Sequence, residues 1–199
     1  NPDEVYYLAG LTSVGLSFEQ PVECMESISL GPLNFLEAIK LNQKKIKFFN
    51  AGSSECFGNT NKIIANEKTV FSPRSPYATA KATAFWIVSN YRESYNLFCC
   101  TGILGNHESP LRNKRFVTKK IVSGVWDIVC KKSSELRLGN LDTWRDWGWA
   151  PEYVEAMYLI MNSPEPQDYI IATGVTNSLK DFVSMAFKKF NLDESKFVI

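Results

Sequence analysis

Three short apolar runs, separated by stretches long enough for helices, decide most of what this sequence can fold into. Val5-Tyr6-Tyr7-Leu8-Ala9 ends at Gly10, and Ile46 through Phe49 leads to Ala51-Gly52. Phe98-Cys99-Cys100-Thr101-Gly102-Ile103-Leu104 is the third. Such runs, bounded by small residues, read as buried strands. Residues 22–43 between the first two read as a helix carrying Leu30, Leu33, Phe35, Leu36 and Ile39, which Gly31-Pro32 should bend or break. After a loop over 58–76 that holds Gly58, Asn59, Asn61 and Pro73, a second helix is expected from Pro76 to about Tyr95. Proline suits a first turn because its missing N–H had no partner there. Phe85, Trp86, Val88 and Tyr91 spread apolar bulk around this helix, which predicts burial on more than one side.

The alternation continues to the end of the chain. Phe116–Cys130, Pro151–Met161 and Ser178–Phe190 read as helices, and Leu136–Leu138 and Asp168–Ala172 as strands. Ser178 is the expected cap of the last helix, with Asp181 in its first turn. Strands alternating with helices predict an α/β fold with a largely parallel sheet. At 199 residues there is room for one good-sized domain, or one and a half small ones.

A net charge of +1 gives no footprint for nucleic acid. Lys114, Arg115, Lys119 and Lys120 form a small basic cluster, either a solvated face or an anion site. Five cysteines without a CxxC pair argue against a disulfide framework and a zinc site, and fit buried thiols in a reducing cytoplasm. No apolar run approaches the roughly 18 residues of a membrane span. Asn1-Pro2-Asp3-Glu4 has no signal-peptide character.

Tyr77 and Lys81 stand four apart in the expected helix and so share a face. An ammonium beside a phenol should lower its pKa, and a phenolate can take a proton from an alcohol while hydride leaves carbon. The preceding strand ends in Ala51-Gly52-Ser53-Ser54-Glu55, where open α/β sheets bind ligands. Ser53 and Ser54 can equally be turn residues, and Glu55 a solvated loop carboxylate. A carboxylate there can also remove a proton next to a carbonyl. His107, the only histidine, follows the third strand and is either structural or part of a site. Arg112 could meet a phosphate. Arg145 could clamp a diphosphate, or merely pair with Asp146.

Leu8-Ala9-Gly10, Ser53-Ser54-Glu55, Ser75-Pro76-Tyr77-Ala78-x-x-Lys81, Asn106-His107-Glu108-Ser109-Pro110, Gly139-Asn140-Leu141-Asp142 and Arg145-Asp146-Trp147-Gly148 occur in this order. Tyr153-Val154-Glu155-Ala156-Met157 and Ile171-Ala172-Thr173-Gly174 follow. Together they resemble the GDP-mannose 4,6-dehydratase family of the extended short-chain dehydrogenases, along nearly the whole chain. The resemblance implies part of a Rossmann-like parallel sheet with flanking helices (residues 1–110). It also implies an incomplete, interleaved substrate-binding region (111–199). It implies NADP as cofactor, with NAD possible, a nucleotide-sugar substrate, no metal, a cytoplasmic location, and a homodimer or homotetramer.

By the same resemblance Tyr77 takes the sugar C4 hydroxyl proton, with Ser53 as relay and Lys81 on the nicotinamide ribose. Glu55 takes the C5 proton and assists loss of the C6 hydroxyl. Leu8, Ala9, Gly10, Leu11, Thr12, His107 and Arg112 match cofactor-lining positions. Ser54, Asn106, Lys119 and Arg145 are assigned to the nucleotide-sugar. The family's Gly-rich loop is not found, which suggests a fragment of a longer protein, inactive by itself. Leu11 stands where glutamine is usual, Gly105 where phenylalanine is common, and Trp149 where many members have histidine. Two other readings remain open: another nucleotide-sugar epimerase or reductase, and a non-catalytic remnant that binds a partner.

Overall fold

The computed structural model describes residues 2–42, 45–60 and 63–199. Asn1, Gln43 at the end of the expected 22–43 helix, and Asn61 lie outside the described residues. The chain forms two compact units. The first takes residues 1–105 and 151–171, the second 106–150 and 172–199.

The first unit is built on four parallel strands: β1 (Glu4–Tyr7), β2 (Lys47–Ala51), β3 (Cys99–Leu104) and, after two strands of the second unit, β6 (Tyr169–Ile171). Their spatial order is β1-β2-β3-β6, so the strands closest in sequence are neighbours. Tyr6, Phe49 and Asn50 pair in register with Phe49, Cys100 and Thr101 respectively. β3 is buried at all six positions, as a central strand covered on both faces must be.

One face carries the short helices α1 (Val14–Glu19) and α2 (Pro21–Met25), then α3 (Gly31–Asn42) and α4 (Pro76–Tyr95). Leu36, Ile39, Phe48, Val88, Tyr91 and Cys99 form a core between α3, α4 and the sheet. α6 (Ala150–Met161) packs Tyr153, Met157, Ile160 and Met161 against Phe49, Cys100, Leu104 and Ile171. α4 is buried around much of its circumference, as its apolar distribution predicted. Ser29 Oγ donates to the carbonyl of its buried Ala80 at 3.0 Å.

Gly31-Pro32 neither breaks nor ends the helical path. Residues Glu26–Leu30 form a π-helical turn, in which the Gly31 N–H reaches back to Glu26 O. A π turn pairs each N–H with the carbonyl five residues earlier. Pro32 has no N–H to offer Ser27 O, and the Tyr7 hydroxyl donates to that oxygen instead at 2.6 Å. A side-chain carbon on Gly31 would overlap the Tyr7 hydroxyl, so the glycine makes room for the substitute donor.

Arg92 on α4 makes a bidentate pair with Asp168, at 3.0 and 2.5 Å, and also donates to Cys99 O at 2.9 Å. Asp168 accepts the Thr101 N–H at 2.7 Å, so one ion pair joins α4, β3 and the approach to β6. The loop before α4 returns to the sheet edge, where Glu67 accepts from the Ile170 N–H at 3.1 Å. That occupies a donor which an edge strand would otherwise expose.

In the second unit β4 (Asn106–Glu108) runs parallel to β5 (Trp144–Trp149), and β5 runs antiparallel to β7 (Thr176–Ser178). Helices α5 (Val117–Val129) and α7 (Leu179–Lys188) supply its core with Ile121, Val125, Ile128, Leu179, Val183 and Phe187. Ser178 caps α7 as expected, in a reciprocal capping box with Asp181. Leu136–Leu138 is not a strand. It makes one isolated bridge, Leu136 to Val198, because an irregular terminal segment is its partner there.

Candidate active site

β2 ends at Ala51, and the chain turns at once into a 3₁₀ turn over Ser54–Phe57. Ser53 opens that turn in extended conformation, its hydroxyl accepting the Glu55 N–H at 3.3 Å. The Gly52 turn needs a residue without a side chain: a carbon there would come within 2.7 Å of Thr101 Cγ2 and 3.0 Å of Gly102 O. Ser53 and Glu55 are thus held at the carboxyl end of the sheet, where ligands bind in open α/β folds.

α4 brings the other two residues to the same end. Ser75 caps it by accepting the Ala78 N–H at 3.1 Å, Pro76 takes the first turn, and Tyr77 follows. The Ser53 side chain and the Glu55 charge both act on the Tyr77 phenol. One turn on, Lys81 is 7% exposed. Its ammonium donates to Ala51 O at 2.7 Å and lies 5.7 Å from the centre of the Tyr77 ring. Ser53, Glu55, Tyr77 and Lys81 therefore meet at one place within the first unit.

The electrostatics differ from the sequence expectation. Burial pushes the Tyr77 phenol up to about 12. The Ser53 side chain opposes this, while Cys56, Glu55 and Cys24 add to it. Lys81 is not among the groups that lower it, because its ammonium is drawn to the Ala51 carbonyl and meets the ring's face rather than the phenol oxygen. Burial in turn lowers Lys81 to about 8, against the pull of the Cys56 and Cys24 thiols. In this arrangement the phenol is a proton donor at neutral pH.

The segment 8–12 follows β1 at the same end of the sheet. Leu11 packs with Cys24, Ile28 and Ala80 in the cluster that includes Tyr77, while Leu8, Ala9 and Thr12 are exposed. Gly10 takes φ +111, which favours glycine. Ser54 is half-buried in the 3₁₀ turn.

The second unit gathers a separate set. Asn106, Arg112 and Arg145 line one cavity of about 130 Å³, together with Glu108, Phe116, Thr118 and Trp147. Arg145 Nη1 donates to Trp144 O at 2.9 Å. Asp146 instead accepts from Thr173 N, Thr173 Oγ1 and Gly174 N at 3.0, 2.8 and 2.8 Å. His107 sits half-buried in β4, in register with Gly148. Lys119 turns its ammonium to Pro110 O at 2.8 Å and does not join the cavity lining. The residues that sequence reasoning passed over are Cys24 and Cys56, the buried thiols that act on Tyr77 and Lys81. Among the described residues no group of three or more His, Cys, Asp or Glu is placed to hold a metal, and no helix is long and apolar enough to cross a membrane.

Residues 1–197 match the family described as GDP-mannose 4,6 dehydratase. GDP-mannose 4,6 dehydratase of Drosophila melanogaster is 47% identical over 189 residues, covering 94% of this chain and 48% of that protein. The Vibrio cholerae GDP-mannose 4,6-dehydratase is 44% identical over 194 residues, covering 96% of this chain and 52% of that protein. The chain thus spans about half the length of the curated relatives it matches. Among solved structures, RMD from Pseudomonas aeruginosa complexed with NADPH superimposes with a TM-score of 0.92 at 21% identity. That match covers all of this chain and 68% of the other, and it shows a shared fold.

Proposed function

Since the chain belongs to the GDP-mannose 4,6-dehydratase family, we propose that it is the part of such an enzyme that carries the acid–base residues. The reaction is loss of water from GDP-mannose, giving GDP-4-dehydro-6-deoxy-mannose. The observation that carries this reading is the convergence of Ser53, Glu55 and Tyr77, with Lys81 fastened to Ala51 O beneath them, at the ligand-binding end of a parallel sheet.

Tyr77 holds or takes the proton of the C4 hydroxyl, and Ser53 orients that hydroxyl and relays its proton. Once C4 is a ketone, the C5 hydrogen is acidic, and Glu55 removes it. The same carboxyl, now protonated, donates to the C6 hydroxyl as it leaves, so the two carbons lose one water. Ser54, half-buried in the same turn, is assigned to sugar contact.

NADP fits this donor set. A buried ammonium beside a phenol is suited to the hydroxyls of a nicotinamide ribose, and the described hydrogen bonds use only one of its three donors. Lys81 and Tyr77 would hold that end, with Leu8, Ala9, Gly10, Leu11 and Thr12 along it. His107 and Arg112 are assigned to the same cofactor. When bound, NADP supplies a hydride acceptor for C4, a hydride donor for C6, and a positive charge that favours the Tyr77 phenolate. The RMD structure with NADPH supports this choice, and a dTDP-glucose 4,6-dehydratase structure from Bacillus anthracis in complex with NAD keeps NAD as the variant.

Asn106, Arg145 and Lys119 are assigned to the nucleotide-sugar. A cytoplasmic setting and an assembly of two or four copies belong to the same proposal. Trp86, 62% exposed on α4, is apolar surface that such a contact would cover. The test is incubation of the intact protein with GDP-mannose and mass spectrometry of the nucleotide. A product lighter by one water supports the reading; epimerised sugar of unchanged mass overturns it.

A further inference from the structure

We propose that Glu108 is a positioning residue: its carboxylate sets the guanidinium of Arg112 to receive the diphosphate of a nucleotide. The inference rests on the nucleotide-binding reading above. It deepens that reading by giving a task to the acid of the Asn106–Pro110 motif.

The geometry is a clamp. Arg112 Nε lies 3.2 Å from Glu108 Oε2, without the alignment of a hydrogen bond, so the contact is ionic. Arg112 Cζ stands 3.7 Å from the centre of the Phe116 ring, which holds the guanidinium plane from its face. The Thr118 hydroxyl donates to the same Glu108 oxygen at 2.7 Å and ties the carboxylate to the start of α5. The two side chains of the pair are 24% and 19% exposed, so solvent screens the contact only in part.

A guanidinium held at Nε and on one face keeps its two terminal nitrogens as a fork, the geometry that meets a phosphate bidentately. The cavity beside it, about 130 Å³, suits phosphate groups rather than a whole nucleoside. Arg145 and Asn106 line the same cavity, which adds a second cation and an amide. Diphosphate is common to the sugar-nucleotide and to the dinucleotide cofactor, and the experiment separates them.

Affinity for GDP and for NADPH is measured separately by titration of the intact protein, as wild type, Glu108→Gln, Arg112→Ala and the double variant. Glu108→Gln should weaken one of the two nucleotides about tenfold. In the Arg112→Ala background the same change should cost no more, because the group it positions is gone. A general structural role predicts losses that add, and additive losses overturn the proposal. Undiminished affinity of Glu108→Gln for both nucleotides overturns it too. If wild type binds neither nucleotide, the nucleotide reading itself falls. Glu108→Asp, which keeps the charge but withdraws it by one carbon, serves in the same cycle where the Gln variant does not fold.

Discussion

The ammonium of Lys81 donates to the carbonyl oxygen of Ala51 across 2.7 Å, so the end of β2 and the second turn of α4 are fastened by a buried cation. This bond fixes the distance between Ser53, two residues past Ala51, and Tyr77, one turn before Lys81. It also draws the charge away from the phenol oxygen, and the properties of the site follow from that.

Lys81 makes stability depend on pH in a defined direction. Its folded value of about 8 lies below its ordinary 10.5, so the unfolded chain binds more protons between the two. The Lys81 contribution to unfolding free energy should therefore rise as pH increases from about 8, toward about 3 kcal/mol for the full shift. Cys56, Cys99, Cys100 and Tyr77 act oppositely, because their raised folded values make stability fall above pH 9 for the thiols and above pH 10 for the phenol. Urea unfolding of wild type and Lys81→Met at rising pH isolates the Lys81 part: the difference between them should grow in favour of wild type above about pH 8.

Tyr77→Phe should lower turnover by about 10²- to 10⁴-fold, the usual worth of a positioned proton-transfer group. Affinity for the nucleotide-sugar should stay within about threefold, since only a hydroxyl is removed. Steady-state kinetics and GDP-mannose titration separate the two effects. Unchanged turnover would remove Tyr77 from the mechanism.

The thiols divide sharply. Burial pushes Cys56, Cys99 and Cys100 up to about 12, and Cys24 is also raised by burial, while Cys130 is exposed. Thiolate is the reacting form. In the native state a thiol reagent at pH 8 should label Cys130 first, and the other four only after unfolding. Peptide mapping of the labelled protein checks this order.

Tyr7 and Gly31 should behave as a coupled pair. Tyr7→Phe leaves Ser27 O without its donor, at a cost of about 1–3 kcal/mol. Gly31→Ala puts a methyl into the Tyr7 hydroxyl and should cost about as much or more. The double variant should be more stable than the sum of the two losses predicts, because the overlap at the hydroxyl is relieved. Denaturation of all four forms measures the coupling.

Legibility in the sequence followed the length and regularity of each element. The four strands of the parallel sheet, α4 and the capped α7 were readable because buried runs and terminal residues agree. The three strands of the second unit were not. Asn106–Glu108 and Thr176–Ser178 are three residues each and polar, and Trp144–Trp149 lacks a buried alternation, so their pairing is set by tertiary contacts. The short α1 and the π turn were hidden for the same reason, since the Tyr7 hydroxyl that substitutes for the proline donor lies 25 residues away in sequence. At the site, spacing placed Tyr77 and Lys81 on one face but not the atom to which the ammonium turns. The lowered phenol expected from that spacing is a raised one.

The central claim, that Ser53, Glu55 and Tyr77 act on one sugar ring, is tested most directly by turnover of GDP-mannose in deuterated water. Intact wild-type protein should incorporate deuterium from solvent into the sugar during dehydration. Glu55→Gln should still oxidise C4 but lose exchange at C5 and form no dehydrated product. Persistent C5 exchange in Glu55→Gln would contradict the account.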